Sequence, residues 1–208
     1  TTVSTKSSWS MISYFGRFNY NYYSKYYATF TMRADGSSKF RKGNRYGYFP
    51  SGSLAWNVAE EDFMKPIRNY IDNAKIRLSW GLTGNNRVGE YASYGLYDVQ
   101  KSWGGQVTLG SVPSGVYPFN GNLSNVGMVP TSVPNKDLKW ETTEQWNLGF
   151  DLSFLQERIG VTVDLYRKTT RDLLLNSNLP LSSGFVSAMK NIGKVRNQGI
   201  EFTLNTTN

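Results

Sequence analysis

Residues 12–35 alternate between apolar and polar positions with a period of two. This period predicts two β-strands, and the polar break at residues 23–25 predicts that they form an antiparallel hairpin. Each predicted strand has about ten residues or more, which is the length that crosses a membrane in a tilted barrel strand. In such a barrel the apolar face contacts lipid and the polar face lines the lumen. Because a half-buried strand of a soluble sandwich alternates in the same way, recurrence along the chain decides between the two.

The same alternation recurs five more times, giving seven predicted strands in all. The additional strands cover residues 48–58, 74–81, 138–154, 159–166 and 199–204. Residues 60–73 break the rhythm and predict one short helix or compact turn, because acidic residues precede apolar residues at roughly helical spacing. Residues 91–99 predict a weaker, ambiguous strand. Residues 101–137, which are rich in Gly, Ser, Asn and Pro, and residues 171–192 are predicted to be long loops.

The period also assigns each side chain to a face. The apolar set predicted to contact lipid includes Tyr14, Phe18, Phe30, Leu78, Phe150 and Val161. The polar set predicted to face the lumen comprises Arg17, Asn19, Asn21, Arg33, Asp35, Arg77, Gln145, Asn147 and Asp151. We expect Leu78→Arg to be costly in hydrocarbon, whereas Arg77→Gln on the lumen face is expected to cost much less.

The connections between the predicted strands alternate in length along the chain. Those at residues 23–25 and 155–157 are short, and those at 36–46, 83–137 and 171–192 are longer; the connection at residues 60–73, on the short side, is the one that is larger than expected for a periplasmic turn. Membrane barrels have short periplasmic turns and long extracellular loops, so this alternation favours a barrel over a sandwich. The alternation requires that residues 83–137 contain no strand or an even number of strands.

Composition excludes several other classes of protein. The chain has 208 residues and a mean hydropathy of −0.46, and no apolar run approaches the length of a membrane helix. It contains no His and no Cys, so Ser–His–Asp and thiolate chemistry are impossible within it. The formal net charge is +8, but the basic residues are spread over loops and strands without a recognition motif. We therefore expect no nucleic-acid partner, no cofactor and no bound metal.

Paired carboxylates raise the hypothesis of a glycosidase, which needs two carboxyl groups about 5–9.5 Å apart in one cleft. The candidate acids are scattered over successive strands: Glu141, Glu144, Asp151 and Asp164. This scatter does not establish such a pair, so we expect the chain not to be an enzyme. The chain begins at Thr1 without a signal peptide, which leads us to expect an interior piece of a longer secreted precursor.

Motifs along most of the chain resemble those of the SusC/RagA family of TonB-dependent outer-membrane transporters of Bacteroidota. They occur in the family's order and spacing outside residues 100–134. The motifs lie at residues 13–20, 33–40, 48–51, 60–63, 76–81, 137–143, 164–174 and 191–201. One of the longest reads Asn191-Ile192-Gly193-Lys194-Val195-Arg196-Asn197-Gln198-Gly199-Ile200-Glu201.

This resemblance implies an all-β fold, an antiparallel transmembrane β-barrel of which residues 1–208 form part of one domain. About seven to nine strands of a 22-stranded barrel are expected, with the plug, the TonB box and the terminal strands outside this sequence. The implied function is import of an oligosaccharide or peptide across the outer membrane of a Gram-negative bacterium. The implied partners are a SusD-like surface lipoprotein, the TonB complex, and outer-membrane lipid or lipopolysaccharide. The alternative is a soluble carbohydrate-binding β-domain.

Six residues are candidates for contact with a substrate or partner. Trp103, Tyr117 and Phe119 belong to residues 100–134, which carry apolar side chains and which we predict to pack over the barrel mouth or against the lipoprotein. Arg17, Arg33 and Asp35 belong to the predicted lumen face. A separate basic loop, with Lys39, Arg41, Lys42 and Arg45, is either a solvated charged loop or a contact for lipid phosphates or an acidic partner.

Overall fold

The computed structural model describes residues 6–99, 128–185 and 187–207, which are organised almost entirely as antiparallel strands. The strands are β1 (Met11–Tyr22), β2 (Tyr26–Ser37), β3 (Tyr46–Asn57), β4 (Ile71–Asn85), β5 (Tyr97–Val99), β6 (Met128–Pro130), β7 (Glu141–Phe154), β8 (Ile159–Arg171), β9 (Leu174–Asn178), β10 (Ser187–Asn191) and β11 (Lys194–Thr206). Seven of them, with 12–15 residues each, form one sheet in the order β1-β2-β3-β4-β7-β8-β11. This sheet confirms the prediction of an all-β, partial barrel wall. No helix among the described residues is long and apolar enough to cross a membrane.

The register of the sheet confirms the two predicted faces. One hydrogen-bonded row is apolar across all seven strands: Tyr20, Ala28, Leu54, Leu78, Leu148, Leu165 and Ile200. The next row toward the long connections is polar or small: Asn19, Thr29, Ser53, Ser79, Asn147, Tyr166 and Gly199. Because side chains alternate along each strand, these two rows belong to opposite faces. The six residues predicted for the lipid side all lie on the apolar face.

The apolar face forms an oblique band across the sheet. A single row begins at Phe18 and Phe30, continues through Gly52, Trp80 and Trp146, and ends at Arg167 and Gln198. The row therefore starts in an apolar environment and ends among polar side chains. A tilted strand array produces this slope, because rows perpendicular to the strands climb relative to the membrane plane.

With one exception, the connections sort by length to opposite ends of the sheet, as predicted. The short-connection end has residues 23–25, 58–70 and 155–158, and the long-connection end has 38–45, 86–140 and 172–193. The exception is the connection at residues 58–70, which is longer than the one at residues 38–45. Tyr23, Ser24, Leu155, Gln156 and Glu157 have positive φ, which makes the two shortest connections tight left-handed turns. Within the described residues of 86–140, β5 and β6 pair with each other and not with the large sheet, so the required parity holds.

Several predicted boundaries were wrong. Residues 172–193 contain the β9–β10 hairpin and a 3-10 turn at Leu181–Ser183, whereas the sequence predicted a plain loop. The two five-residue strands are too short to show a clear period. β4 extends to Asn85, beyond the predicted loop start, and only Tyr97–Val99 of the weak strand is extended. For residues 60–73 the compact-turn alternative is confirmed, because 3-10 turns form at Val58–Glu60 and Asp62–Ile67; the predicted end of this segment was wrong, since β4 already starts at Ile71.

Candidate functional site

The polar face of β1 to β4 and β7 contains a shallow groove of about 500 Å³. Its lining is mostly small or hydrogen-bonding: Arg17, Thr29, Thr31, Arg33, Ser51, Ser53, Ser79, Gly81, Thr83 and Gln145 among others. Arg17 Nε donates to Thr31 Oγ1 at 3.1 Å, and Thr29 Oγ1 donates to Asn19 Oδ1 at 3.0 Å. Guanidinium and hydroxyl groups at such density can hydrogen-bond a polar solute along several of its groups.

Arg33 is held in this groove by Asp35, two residues along β2. The two residues share a face because side chains alternate, and Arg33 Nε lies 2.7 Å from Asp35 Oδ2. Asp35 is only 2% exposed, whereas Arg33 remains well exposed and its Cζ lies 5.6 Å from the Phe49 ring centroid. Among the described residues, the geometry therefore makes Arg33 the accessible group and Asp35 the residue that orients it.

A second polar cluster lies farther along the same face, on β4, β7 and β8. Arg77 donates from Nε to Asp151 Oδ2 at 2.6 Å and from Nη2 to Asp151 Oδ1 at 2.9 Å. The same Nη2 reaches Asp164 Oδ1 at 3.2 Å, and Thr162 Oγ1 donates to Asp151 at 3.2 Å. This fork of charge-assisted hydrogen bonds ties three strands together across the sheet face.

Gly149 makes the contact between Arg77 and Asp164 possible. It stands between them in the same hydrogen-bonded row, on the intervening strand β7. A Cβ at this position would lie 2.6 Å from Asp164 Oδ1 and 2.7 Å from Arg77 Cζ, which is closer than real Cβ atoms come to such groups. The guanidinium therefore crosses directly over the glycine backbone.

We expect Gly149→Ala to weaken this cluster, because the added methyl group displaces the guanidinium from Asp164. The expected loss is about 1 kcal/mol in the free energy of unfolding, since the cluster is partly exposed and its ion pairs are screened. The matched control is Gly160→Ala on the same face of β8, where the nearest atom to a new Cβ is 3.7 Å away. Equal urea unfolding curves for the two variants of the full-length protein in lipid vesicles would contradict this role.

The same cluster bears on the expectation for Arg77, which stays a prediction. Arg77→Gln would remove the one described cation within salt-bridge distance of both Asp151 and Asp164. It would leave two carboxylates near each other on the same face, which is unfavourable. Arg77 is therefore not a neutral lumen position, and another residue has to serve as the control for Leu78.

A small hydrophobic core closes the long-connection end of the sheet. Its buried members are Phe40, Phe49, Val88, Leu138 and Trp140, with Leu82, Ala92, Leu174 and Met189 packed against them. The Trp140 ring lies 5.4 Å from that of Phe40 and 5.6 Å from that of Phe49, and its Nε1 donates to the Arg45 carbonyl at 2.9 Å. This mouth core joins the connection between β2 and β3, the segments flanking β5 and β6, and the β9–β10 hairpin.

The basic loop belongs to this packed mouth. Arg41 Cζ lies 4.6 Å from the Tyr94 ring centroid, and Lys39 Nζ lies 4.9 Å from that of Trp9. Arg45 Nε donates to the Phe40 carbonyl at 3.3 Å, whereas Lys42 is exposed. The loop therefore has a defined conformation. The hypothesis of a solvated charged loop did not predict these contacts.

Aromatic–carboxylate clusters lie at both ends of the apolar face. At the short-connection end, Glu61 Oε1 accepts hydrogen bonds from Tyr26 Oη at 2.6 Å and Trp56 Nε1 at 3.1 Å. At the other end, Glu144 Oε1 accepts from Trp80 Nε1 at 3.3 Å and Trp146 Nε1 at 3.2 Å. Aromatic rings whose polar edges point along the wall are the arrangement found where barrels meet lipid head groups.

The stabilisation by Glu61, which lies in a connection outside the strands, should depend on pH. The Tyr26 hydroxyl, followed by the Trp56 indole and Lys25, holds the pKa of Glu61 below its ordinary value. A carboxyl group with a lowered folded-state pKa stabilises the fold above its unfolded pKa, and this contribution disappears as pH falls through the folded pKa.

We therefore expect Glu61→Gln to be less stable than the unmodified protein at neutral pH, with the difference disappearing as the pH falls below the ordinary range of a glutamate carboxyl group. Urea unfolding midpoints of the full-length protein in vesicles, measured across this range, provide the test. Asp72→Asn is the comparison variant, because it neutralises another carboxyl group at the short-connection end of the sheet. A difference that stays constant with pH would rule out titration of Glu61 as its cause.

The structure brings together only some of the residues predicted from sequence. Arg17 and Arg33 line one groove and Asp35 orients Arg33, while Trp103, Tyr117 and Phe119 lie outside the described residues. The four acids considered for glycosidase chemistry do not converge, because Glu144 lies on the face opposite to Asp151 and Asp164. Gly149 and the mouth core were not predicted from the sequence. The strand register, which pairs Gly149 with Arg77, is the signal that identifies Gly149.

Residues 1–207 match the protein family described as TonB dependent receptor-like, beta-barrel. The TonB-dependent receptor P3 of Formosa agariphila is 41% identical over 198 residues, and the TonB-dependent receptor SusC of Bacteroides thetaiotaomicron is 40% identical over 201 residues. These alignments cover 95% and 94% of this chain but 18% of each relative, so the chain spans less than a fifth of their length.

Two solved structures resemble this chain over most of its length. The structure of the RagAB peptide transporter aligns with a TM-score of 0.79 and 28% identity, over 94% of this chain and 20% of that one. The siderophore receptor PirA from Pseudomonas aeruginosa aligns with a TM-score of 0.54 and 16% identity, over 94% of this chain and 31% of that one. The second likeness concerns the fold alone.

Proposed function

Because the chain belongs to the TonB dependent receptor-like β-barrel family, we propose that it forms part of the wall of a TonB-dependent importer in a Gram-negative outer membrane. The observation that carries this proposal is the two-faced seven-strand sheet, with an apolar row on one side and a polar, grooved face on the other. An apolar face toward lipid and a polar face toward the lumen is the arrangement that a transport barrel requires.

The proposed cargo is an oligosaccharide or a peptide, delivered with the help of a SusD-like surface lipoprotein. The similarity to SusC and to the RagAB peptide transporter supports this class of cargo and partner. The lumen groove adds chemical support, because Arg17, Arg33 and neighbouring hydroxyl groups can bind sugar hydroxyls or peptide groups. In this proposal the wall binds and guides the cargo and performs no covalent chemistry.

The alternative, a soluble carbohydrate-binding domain, would need a second layer over the apolar face. Phe18 is 63% exposed and Leu54 is 59% exposed on that face. Within the described ranges the other two sheets have only two strands each, and the exposure of these side chains means that neither sheet covers them. An exposed apolar face of this extent favours a lipid environment.

The function is tested by deleting the full-length gene in the source bacterium and growing the strain on single oligosaccharides or peptides. Loss of growth on one cargo, restored by the intact gene and not by a copy lacking its TonB-binding segment, is the expected result. An Arg17→Gln/Arg33→Gln copy should lower uptake of that cargo, with Lys168→Gln as the control, because Lys168 is an exposed cation on the polar face of β8 outside the groove. Growth unaffected on every cargo would contradict import.

The long connection provides a further expectation that stands on the sequence alone. Deleting residues 104–127 should leave the barrel assembled, because external loops tolerate shortening. It should weaken cargo uptake or binding of the lipoprotein, because Tyr117, Phe119 and their apolar neighbours give the deleted segment side chains suited to packing. Uptake assays and co-purification of the lipoprotein give the readout. Normal values in both would mark the segment as a passive insertion.

A further inference from the structure

We propose that Arg33 binds an acidic group, a carboxylate or a sulfate, on an oligosaccharide cargo, so that the wall selects acidic over neutral oligosaccharides. This inference rests on the proposed function, because it takes the polar face as the lumen, and it deepens that function by naming the class of cargo. Arg33 lies on β2, between β1 and β3, so the strands on both of its sides belong to the described sheet.

The guanidinium of Arg33 keeps hydrogen-bond donors for a ligand. Its Nε donates to Asp35 Oδ2 at 2.7 Å, and among the described residues this is the one hydrogen bond that the side chain makes. Asp35 contacts it through a single oxygen, because within the same residues Asp35 Oδ1 has no hydrogen-bond partner. The N–H groups of Nη1 and Nη2 are therefore left for a ligand. Together they match the two oxygens of a carboxylate or sulfate.

The ion pair of Arg33 and Asp35 is neutral as a whole, but it is oriented. The Asp35 carboxylate is buried, whereas the Arg33 side chain is 44% exposed and lines the groove. The positive end of the pair therefore faces the groove. As far as the structure describes the lining, it contains a second cation, Arg17, and no carboxylate. An acidic cargo is attracted by these charges and meets no acidic side chain among the lining residues.

Packing holds the Arg33 side chain in place before a ligand arrives. Its Cζ lies 5.6 Å from the Phe49 ring centroid, which is within the range of a cation–π contact. Phe49 is itself buried, and its ring lies edge-on to that of Trp140 in the mouth core. A guanidinium fixed between a buried carboxylate and a buried ring loses little rotamer freedom when it binds. Arg33 is therefore a pre-organised group for binding an anion.

The groove beside Arg33 suits sugar hydroxyls better than a peptide. Among the described polar-face residues that line it, Phe49 has the one apolar side chain, and the others carry hydroxyl, amide or guanidinium groups or are glycine. The polar row from Asn19 to Gly199 has no charged side chain on any of the seven strands. Hydroxyl and amide groups both donate and accept hydrogen bonds, as sugars require. The apolar side chains of a peptide would gain little in this groove, so the site favours an acidic oligosaccharide.

The test measures binding of the full-length protein in detergent to an array of matched oligosaccharide pairs. Each pair contains a uronate or sulfated oligosaccharide and the same compound with its carboxyl groups reduced or its sulfates removed, and the two kinds of pair are read separately. We expect the protein to bind acidic members and not their neutral counterparts.

The variant Arg33→Gln/Asp35→Asn should bind the acidic members about tenfold more weakly, because it loses hydrogen bonds to a charged group. It removes both charges of the pair, so no unpaired carboxylate stays buried. Arg33→Lys keeps the charge but not the fork, and it should retain only part of the affinity. The matched control is Lys168→Gln, which removes an exposed cation from the same polar face outside the groove.

Equal binding of both members of the pairs, binding of acidic peptides alone, or an array on which no acidic oligosaccharide binds would overturn the inference. Unchanged affinity in the double variant would do the same. If that variant fails to fold, a salt titration of the unmodified protein decides, because the preference for acidic members should fall as salt screens the charges. A preference that does not depend on salt would count against Arg33.

Growth experiments separate this inference from the proposed function. Growth that needs the gene on neutral oligosaccharides, and on no acidic one, would contradict the selection of acidic cargo and leave import standing. A protein that binds acidic oligosaccharides through Arg33 but supports import of no cargo contradicts the proposed function only.

Discussion

Leu78→Arg is expected to lower the free energy of unfolding by about 2–4 kcal/mol, the range observed for a cation placed on the lipid face near the middle of a membrane barrel. Leu78 lies in the row that is apolar on all seven strands, between Leu54 on β3 and Leu148 on β7. An arginine there cannot reach the head groups as easily as one at the end of the apolar band. Urea unfolding of the full-length protein in lipid vesicles measures the loss.

The control for this experiment is Ser79→Arg, the same new side chain one residue along β4. Ser79 is exposed on the polar face, where it pairs with Ser53 and Asn147. An arginine at that position remains in a polar environment, so the expected change is about 0.5 kcal/mol or less. Equal losses for the two variants would mean that neither face contacts hydrocarbon, and a larger loss for Ser79→Arg would mean that the faces are assigned the wrong way round.

Phe49→Ala is expected to have the second large effect, about 3–5 kcal/mol if the mouth core unfolds together with the sheet. Phe49 is 4% exposed and its ring packs edge-on against Trp140. New Cβ atoms at Gly47 or Gly84 would approach its ring within 2.5 Å and 2.0 Å, so no space around the ring is free on those sides. Its removal leaves a cavity that those rigid backbone segments cannot close.

Phe15→Ala is the matched control, because Phe15 lies in the same row as Phe49, two strands away, but is 78% exposed. Hydrogen exchange separates the two ways in which Phe49→Ala can act. Faster exchange confined to residues 38–45 and 131–140 would mean that the mouth opens locally, with a smaller global loss. Exchange and stability that match those of Phe15→Ala would show that the mouth core contributes nothing.

The barrel wall was predictable because its strands are long and each has one apolar face. Residues 12–35 and 145–154 alternate over so many positions that a helix or a buried core strand would not fit. The faces followed from the same period, and the register puts Leu78, Phe150 and Val161 on one face of the sheet, as predicted. Every strand of a membrane-spanning sheet alternates apolar and polar side chains, and this repeated alternation can be recognised in a single sequence.

The mouth core and the polar clusters were not predictable, because no repeating pattern marks them in the sequence. Phe40 comes from the connection at residues 38–45, and Val88 and Leu138 come from opposite ends of the connection at residues 86–140; neither end nor the shorter connection has a period. The β9–β10 hairpin has strands of five residues, which carry too few positions to reveal alternation. The role of Gly149 depends on which residues stand beside it on β4 and β8, information that only the register supplies.

Because the apolar band runs obliquely across the sheet, the thickness of the membrane helps to determine the strand register. A slip by one residue would turn every side chain of a strand to the wrong face. A slip by two residues would keep the faces but move a strand about 7 Å along its neighbour. On β8 such a slip would draw Arg167 into hydrocarbon or lift Leu165 out of it. Bilayer thickness therefore rejects even-numbered slips that side-chain alternation alone would accept, and assembly in a bilayer of the wrong thickness should yield misregistered walls.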